Sequence, residues 1–231
     1  MTLTRSTLLA AAGASLVFLV PVSTHGQASH RIVVTPYAGY FVPATKLAHL
    51  DGGTVNPGLG IRQQNAPAVG LNASLWFNNR AGVEIGGLYA FSDAKSLPGL
   101  SGGMPGFPSP AQNAHVLAAS AKVMFNLLPL SDRTALRLGF GPALIHRNGS
   151  AFDADQHGVI SGLTDVGGVI SLCTRLPVTD LLSVRVRAEN YIYPSKLRYI
   201  DAAGSEGDID FESRVQNDFV FSAGLQMVFW R

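Results

Sequence analysis

The chain has 231 residues, of which 47% are hydrophobic and only 14% are charged, and it contains 25 glycines. Soluble domains carry roughly 25% charged residues and about 7% glycine, so this composition argues against an ordinary cytosolic protein, while the apolar content excludes disorder. The 17 basic side chains nearly balance the 15 acidic ones, and no basic run could neutralise a phosphate backbone, which excludes a nucleic-acid partner. A single cysteine, Cys173, excludes a disulfide framework.

The segment 1–28 has the composition of a secretory signal peptide. Arg5 supplies a positive charge, 8–20 is almost entirely apolar, and Gly26-Gln27-Ala28 places small residues at the positions that flank a cleavage site. The apolar segment ends at Pro21, short of the roughly 20 residues that a helix needs to cross a bilayer. We therefore expect cleavage after Ala28 and one exported domain over 29–231.

The exported domain has the two-residue period of β-strands in eight segments. These segments are 31–42, 69–77, 83–92, 119–127, 136–144, 159–176, 182–189 and 219–230. In most of them one face is apolar and the other is small or polar, whereas the inward and outward faces of 31–42 and 159–176 remain open. Eight strands therefore account for the periodic part of the chain.

The connectors between these strands alternate in length. Those at 78–80, 129–132 and 177–180 are short and have turn chemistry. The others, near 43–65, 93–113, 148–158 and 195–214, are mostly long and rich in glycine, proline or acids. The short turns are therefore expected at one end of the fold and the long loops at the other, with both termini at the short-turn end.

The polar faces indicate which side of the strands meets lipid. In a soluble barrel charged side chains face outwards to water, whereas a membrane barrel has an apolar exterior and a polar interior. Here the polar faces are mostly small and carry few charges, which suits a narrow lumen. The fold class predicted is therefore all-β, an eight-stranded antiparallel up-and-down transmembrane barrel.

The charged side chains of those strands are expected inside the barrel. Eight strands leave an interior just filled by side chains, and an unpaired buried charge costs several kcal/mol, so the charges should form an ionic network. The residues of the predicted lumen network are Glu84, Lys122, Arg137, Asp165, Arg175, Arg185, Arg187 and Glu189.

The whole of 29–231 resembles the eight-stranded bacterial outer-membrane barrels of the OmpA/OmpX/OmpW-like type. The C-terminal strand, 219–230, is similar to the alternating terminal signal of that group, and 35–40 resembles its first strands. The resemblance implies residence in the cell outer membrane, with short periplasmic turns and long extracellular loops. It also implies as partners outer-membrane lipids, lipopolysaccharide, periplasmic chaperones and the barrel-assembly machinery. That machinery would read the insertion signal Phe219, Phe221, Leu225, Met227 and Phe229.

Aromatic residues near strand ends suggest girdles at the two membrane interfaces. They are Tyr37, Tyr40, Trp76, Phe77, Tyr89, Tyr191, Tyr193 and Trp230. Two loop clusters have metal-binding chemistry, His146 with Asp153, Asp155 and His157 for zinc, and Glu206, Asp208, Asp210 and Glu212 for calcium. Neither cluster matches a strong motif, so no metal site and no cofactor are predicted.

The sequence favours a non-catalytic function. His115 and Ser120 lie on opposite faces of a strand and cannot cooperate, and none of the common nucleophile or nucleotide motifs is present. We predict a wall component of the cell envelope that is structural or acts through its long extracellular loops. The alternatives are a soluble lipocalin-like barrel that binds a small apolar ligand, a barrel-embedded lipid-modifying enzyme and a narrow pore.

Overall fold

The computed structural model describes residues 31–45, 48–50, 59–96, 112–127, 135–152, 158–179, 182–195, 198–201, 209–210 and 214–230. Eight long strands dominate these residues. They are β1 Arg31–Pro43, β2 Ala66–Trp76, β3 Ala81–Ala90, β4 His115–Asn126, β5 Ala135–Asn148, β6 Thr164–Pro177, β7 Leu182–Ser195 and β8 Arg214–Trp230. The predicted signal peptide, 1–28, lies outside the described residues.

The eight strands form one closed antiparallel barrel. Each strand pairs with its neighbours in sequence, and β1 pairs with β8, for example Ala38 opposite Ala223. Closure gives every strand a partner on both sides, which matters in lipid because an open edge would leave backbone N–H and C=O groups without hydrogen bonds. The predicted fold class is confirmed.

The exterior of the barrel is apolar. Ile85, Val166 and Phe229 are 64%, 67% and 65% exposed, and they belong to a band of large hydrophobic side chains on the outer face of all eight strands. Polar and charged side chains alternate with them and are buried in the lumen. An apolar band outside and a polar interior is the arrangement of a transmembrane barrel rather than of a soluble one.

The structure resolves the two faces that the sequence left open. On β1 the inward side chains include Val33, Thr35, Tyr37 and Phe41, and on β6 they are Asp165, Val169, Ser171 and Cys173. The predicted strand 159–176 is two strands: Gly158–Ser161 leaves the barrel and β6 begins at Thr164. Gly162, with a φ of 75°, separates them in a left-handed conformation that glycine adopts without a steric penalty.

At the long-loop end, the strands continue into two small sheets. The first joins the loop between β1 and β2 to the loop between β3 and β4, and its strands are Ala48–Leu50, Leu59–Gln63, Asp93–Ser96 and Gln112–Asn113. The second joins the loops after β5 and β7 through Gly158–Ser161, Arg198–Asp201 and Ile209–Asp210. A short 3-10 helix, Ser150–Phe152, contacts Gln112–Asn113 and so links the second and third loops.

The opposite end of the barrel has tight turns. Between β2 and β3, the Asn78 side-chain oxygen accepts hydrogen bonds from the backbone N–H groups of Arg80 and Ala81 at 2.7 and 2.8 Å. Between β6 and β7, Val178 and Thr179 donate their N–H groups to the carbonyl oxygen of Leu182. The described helices include none that is long and apolar enough to cross a membrane.

Candidate functional site

The lumen contains a buried cluster of five charged side chains at mid-height. Glu84 on β3 and Lys122 on β4 face each other as register partners, and the other three members lie on β7. Because β3 and β7 are four strands apart in either direction around the barrel, the cluster bridges opposite walls. The members of this central cluster are Glu84, Lys122, Arg185, Arg187 and Glu189, and all are at most 3% exposed.

Glu84 is the centre of this cluster. Its carboxylate lies 3.1 Å from Lys122 Nζ, 2.5 Å from Arg185 Nη1 and 2.9 Å from Arg187 Nη2, and Ser74 Oγ donates a further hydrogen bond at 2.8 Å. Three cations thus surround one carboxylate: Arg185 and Arg187 donate charge-assisted hydrogen bonds to Oε2, and Lys122 forms an ion pair with Oε1.

Glu189 supplies the second negative charge of the central cluster. It accepts from Lys122 Nζ and, at 3.1 Å, from Arg187 Nη1, while Tyr191 donates its hydroxyl to the other carboxylate oxygen at 3.4 Å. Two carboxylates against three cations leave the cluster with one excess positive charge. Such a dry ionic cluster is stable only while every partner is present.

Tyr37 closes the lumen on the side of β1. Its hydroxyl donates to the carbonyl oxygen of Gly87 at 3.1 Å, and the guanidinium of Arg187 lies 5.9 Å from its ring centre. The ring lies against Gly70 so closely that a Cβ at this position would overlap it. Glycine at 70 therefore makes room for the aromatic ring inside the narrow barrel.

Above the central cluster, towards the long loops, an apolar layer fills the cross-section. Its buried side chains include Phe41, Leu88, Val116, Ile145, Val169 and Val220. A second ionic group caps this layer: Arg147 Nη1 lies 2.7 Å from Asp165 Oδ2, and Arg147 Nη2 donates to the Tyr193 hydroxyl at 2.6 Å. That hydroxyl in turn donates to Asp218. The lumen thus contains three successive layers of buried side chains: an ionic layer, an apolar layer and a second ionic layer.

Below the central cluster, at the short-turn end, the lumen opens into a small cavity. Arg137 stacks over the ring of Trp76 at 4.4 Å and donates to Asn126 at 3.1 Å and Gln226 at 3.5 Å. Arg175 donates to Ser183 at 2.8 Å. These interactions hold the two guanidinium groups at the wall rather than in the central cluster.

The structure distributes the predicted lumen network over three levels. Five of its residues form the central cluster, Asp165 pairs with Arg147 near the long loops, and Arg137 and Arg175 lie near the short turns. All eight predicted side chains point inwards. Sequence reasoning missed Arg147 and Asp218 because it ended the strands at 144 and began the last one at 219, although the same two-residue alternation continues to both residues.

The predicted aromatic girdles are wrong for four residues. Tyr37, Trp76, Tyr191 and Tyr193 are at most 8% exposed and point into the lumen. Tyr40 and Phe77 do lie on the exterior. The aromatic ring of a tyrosine or tryptophan suits a lipid interface or a crowded lumen equally well, so only the register of the strand decides between them.

The predicted metal-binding loops lie largely outside the described residues. Asp153, Asp155, His157, Glu206, Asp208 and Glu212 are not described; His146 contacts Thr164 Oγ1 through its Nδ1 at 2.8 Å. Within the described ranges, no group of three or more histidine, cysteine or acidic side chains is arranged to hold a metal. His115 packs on the outside against Tyr89 and Phe91, away from the lumen side of β4.

Comparison with known proteins shows the fold of this chain. No family model matches it, and no curated protein matches its sequence. Among solved structures, it is similar to the outer membrane protein OprG from Pseudomonas aeruginosa, with a TM-score of 0.64 at 12% identity over 88% of this chain and 97% of that one.

Two further solved structures share the architecture. The outer membrane protein AlkL gives a TM-score of 0.62 at 12% identity, with 92% and 96% of the two chains covered. Neisserial surface protein A gives 0.52 at 9% identity, with 89% and 100% covered. The fold is therefore that of bacterial outer-membrane barrels, and together with the apolar exterior it assigns this protein to the cell outer membrane.

Proposed function

We propose that this protein is a non-catalytic component of the outer-membrane wall, with a closed lumen, that acts through the two sheets built by its long loops. The observation that carries this proposal is the filling of the lumen. The central cluster and the apolar layer above it occupy successive cross-sections, so neither ions nor a substrate have a continuous path through the barrel. The protein would then interact with its partners at the two ends of the barrel and on its outer surface.

The orientation follows from the topology of such barrels. Short turns face the periplasm and long loops face the cell exterior, so the two loop sheets would project among lipopolysaccharide molecules. Sheets that join two loops each give these extensions a defined backbone, which a binding surface needs. Lipopolysaccharide and outer-membrane lipids are accordingly the proposed partners.

Biogenesis would use the last strand. In β8 the residues Phe221, Leu225 and Phe229 are more than half exposed on the lipid side, and periplasmic chaperones and the barrel-assembly machinery would recognise this alternating apolar pattern in the unfolded chain. Pairing of β8 with β1 then completes the barrel.

The distribution of polar and apolar side chains disfavours the lipocalin-like alternative. A ligand-binding soluble barrel has an apolar interior and a polar surface, whereas here Glu84, Arg185 and Arg187 are inside and Ile85 and Val186 are outside. An apolar ligand bound in the lumen would have to displace the central cluster. In a soluble barrel, the exterior would expose far more apolar surface to water than soluble monomers tolerate.

The decisive experiment combines fractionation with conductance. The protein is expressed in a Gram-negative host, and we expect it in the outer membrane with gel mobility that changes on heating. In planar bilayers we expect no steady conductance steps, while a 16-stranded porin reconstituted in the same way shows them. Large steady steps would overturn the closed lumen, and a detergent-free soluble monomer would overturn the membrane location.

A further inference from the structure

The cavity at the short-turn end lies in the mouth of the barrel below the central cluster. It has a volume of about 50 Å³ and opens to that end. Its lining comes from six strands and one turn. The lining residues are Arg31, Val33, Trp76, Asn78, Asn79, Asn126, Arg137, Arg175, Gln226 and Val228. The function proposed above makes no use of this cavity.

The lining is strongly cationic. It contains three arginines, Arg31, Arg137 and Arg175, and no aspartate or glutamate among the described residues. The central cluster nearby already has more cations than carboxylates, so it offers no negative charge to offset them. In the narrow mouth of a low-dielectric barrel, such a group of cations creates a strongly positive potential.

Two residues of the lining have buried hydrogen-bond donors without partners. Trp76 is only 5% exposed, and its Nε1 is buried without a hydrogen-bond partner; Arg31 Nε is in the same state. Buried donors of this kind normally have a partner, so an unpaired one calls for an explanation. A ligand that accepts hydrogen bonds would supply that partner.

Arg137 is held in a position to complete such a site. Stacking on Trp76 fixes the plane of the guanidinium, and Asn126 and Gln226 engage its Nε and Nη1. No hydrogen bond from Nη2 is made to any described residue. A preorganised guanidinium with a remaining donor is suited to carboxylate and phosphate oxygens, which it binds through charge-assisted hydrogen bonds.

We propose that this mouth is a binding site for one small oxyanion, a carboxylate or phosphate group, held by Arg31 and Arg137 with Trp76 Nε1 as an additional donor. The volume suits this class, since a single water needs roughly 10–15 Å³ and the cavity therefore holds a few waters or one such group. The oxyanion is either a free ion or the phosphate of a lipid headgroup that reaches over the strand ends. A neutral apolar ligand would leave Arg31 Nε and the indole N–H of Trp76 without acceptors.

The test uses Trp76 as its own reporter. Substitution Trp230→Phe leaves Trp76 as the only tryptophan, and the folded barrel is titrated with inorganic phosphate in a phosphate-free detergent, against chloride at equal ionic strength. We expect a saturable change in Trp76 emission with phosphate alone. Arg137→Gln should weaken phosphate binding by roughly tenfold or more, the effect of losing a charged hydrogen-bond donor.

The matched control is Arg80→Gln. Arg80 is exposed on the turn between β2 and β3, at the same end of the barrel but outside the lining, so its substitution should leave phosphate binding within about twofold. Heat-dependent gel mobility establishes that each variant is folded. An equal response to chloride, or equal phosphate binding by Arg137→Gln and the parent, would overturn the site.

Two further arms identify the source of the oxyanion. A response in detergent indicates a free ion, whereas a response only after transfer into phosphatidylglycerol vesicles indicates a lipid headgroup, and both support the site.

Discussion

Glu84 shows how much depends on a single residue inside a narrow barrel. Its carboxylate contacts Lys122, Arg185 and Arg187, which come from β4 and from β7 on the opposite wall. Coulomb attraction in this dry interior is strong, but so is the cost of desolvating four charged groups. The intact cluster therefore contributes little to the net free energy of folding. Removal of one member is costly, because it leaves a buried charge unpaired.

The substitution Glu84→Gln tests this role. It preserves the shape of the side chain but leaves three buried cations with only Glu189, and we expect a loss of about 3 to 5 kcal/mol in the free energy of unfolding. Denaturant titration of the barrel in lipid vesicles measures the loss. Adding Lys122→Met should recover part of it, because one of the unpaired cations is removed; a loss below about 1 kcal/mol for Glu84→Gln would contradict the central position of Glu84.

The sequence predicts which side chains enter the lumen but not which of them meet. Alternation alone directs Arg185, Arg187 and Glu189 inwards, because their neighbours Val184, Val186 and Ala188 must face lipid. The pairing of Arg185 and Arg187 with Glu84 depends on the tilt and register of strands that are some hundred residues apart. Tyr37 and Trp76 were placed wrongly for a related reason, since their rings are compatible with either face.

At the scale of the strand, the lipid-facing side is the simplest feature to read from the sequence. In β8 the exposed side chains Phe221, Leu225 and Phe229 alternate with buried Val220, Ser222 and Gln226. If a strand has one wholly apolar face, only one choice of which face meets the lipid keeps its polar groups out of the bilayer. Strand ends are harder, because alternation weakens where the chain leaves the membrane, and Arg147 and Asp218 were missed there.

Leu225→Arg tests the outward phase of β8. Leu225 is 51% exposed on the exterior and pairs with Val184 of β7. A charged arginine on the lipid face costs about 2 to 4 kcal/mol at the bilayer midplane and less towards the interfaces, and we expect a loss of up to this size in unfolding titrations in vesicles. Leu225→Met, which preserves volume and polarity, should cost less than about 1.5 kcal/mol. Equal stability of the two variants would mean that position 225 does not face lipid.

For the whole molecule, closure between β1 and β8 decides whether the fold is a barrel or an open sheet. Ala38 and Ala223 are register partners on the outer face of this seam. Directly opposed residues in antiparallel strands have Cα atoms about 4.5–5.5 Å apart, which lies within the range that a disulfide spans. The seam can therefore be tested by a covalent bond.

We expect the double variant Ala38→Cys/Ala223→Cys to form a disulfide on mild oxidation of the folded protein. The bond closes a covalent loop, which a non-reducing gel detects after heating. Ala38→Cys/Leu225→Cys is the matched control: it lies two residues out of register, at a distance of about 7–8 Å, and should not form a disulfide. Formation of the second bond in place of the first would show a different register at the seam.

The central cluster also distinguishes between strand alignments that have the same energy of burial in the bilayer. If one strand slipped by two residues past its neighbour, every apolar side chain would still face lipid, so the hydrophobic energy of the exterior would hardly change. The same slip moves a lumen side chain by about 6.8 Å along the strand, more than twice the 2.5–3.1 Å that separate Glu84 from its three cations. The charged side chains of the central cluster therefore determine the strand register. Several alignments bury the same apolar surface in lipid, but only one of them pairs all the charges in the lumen.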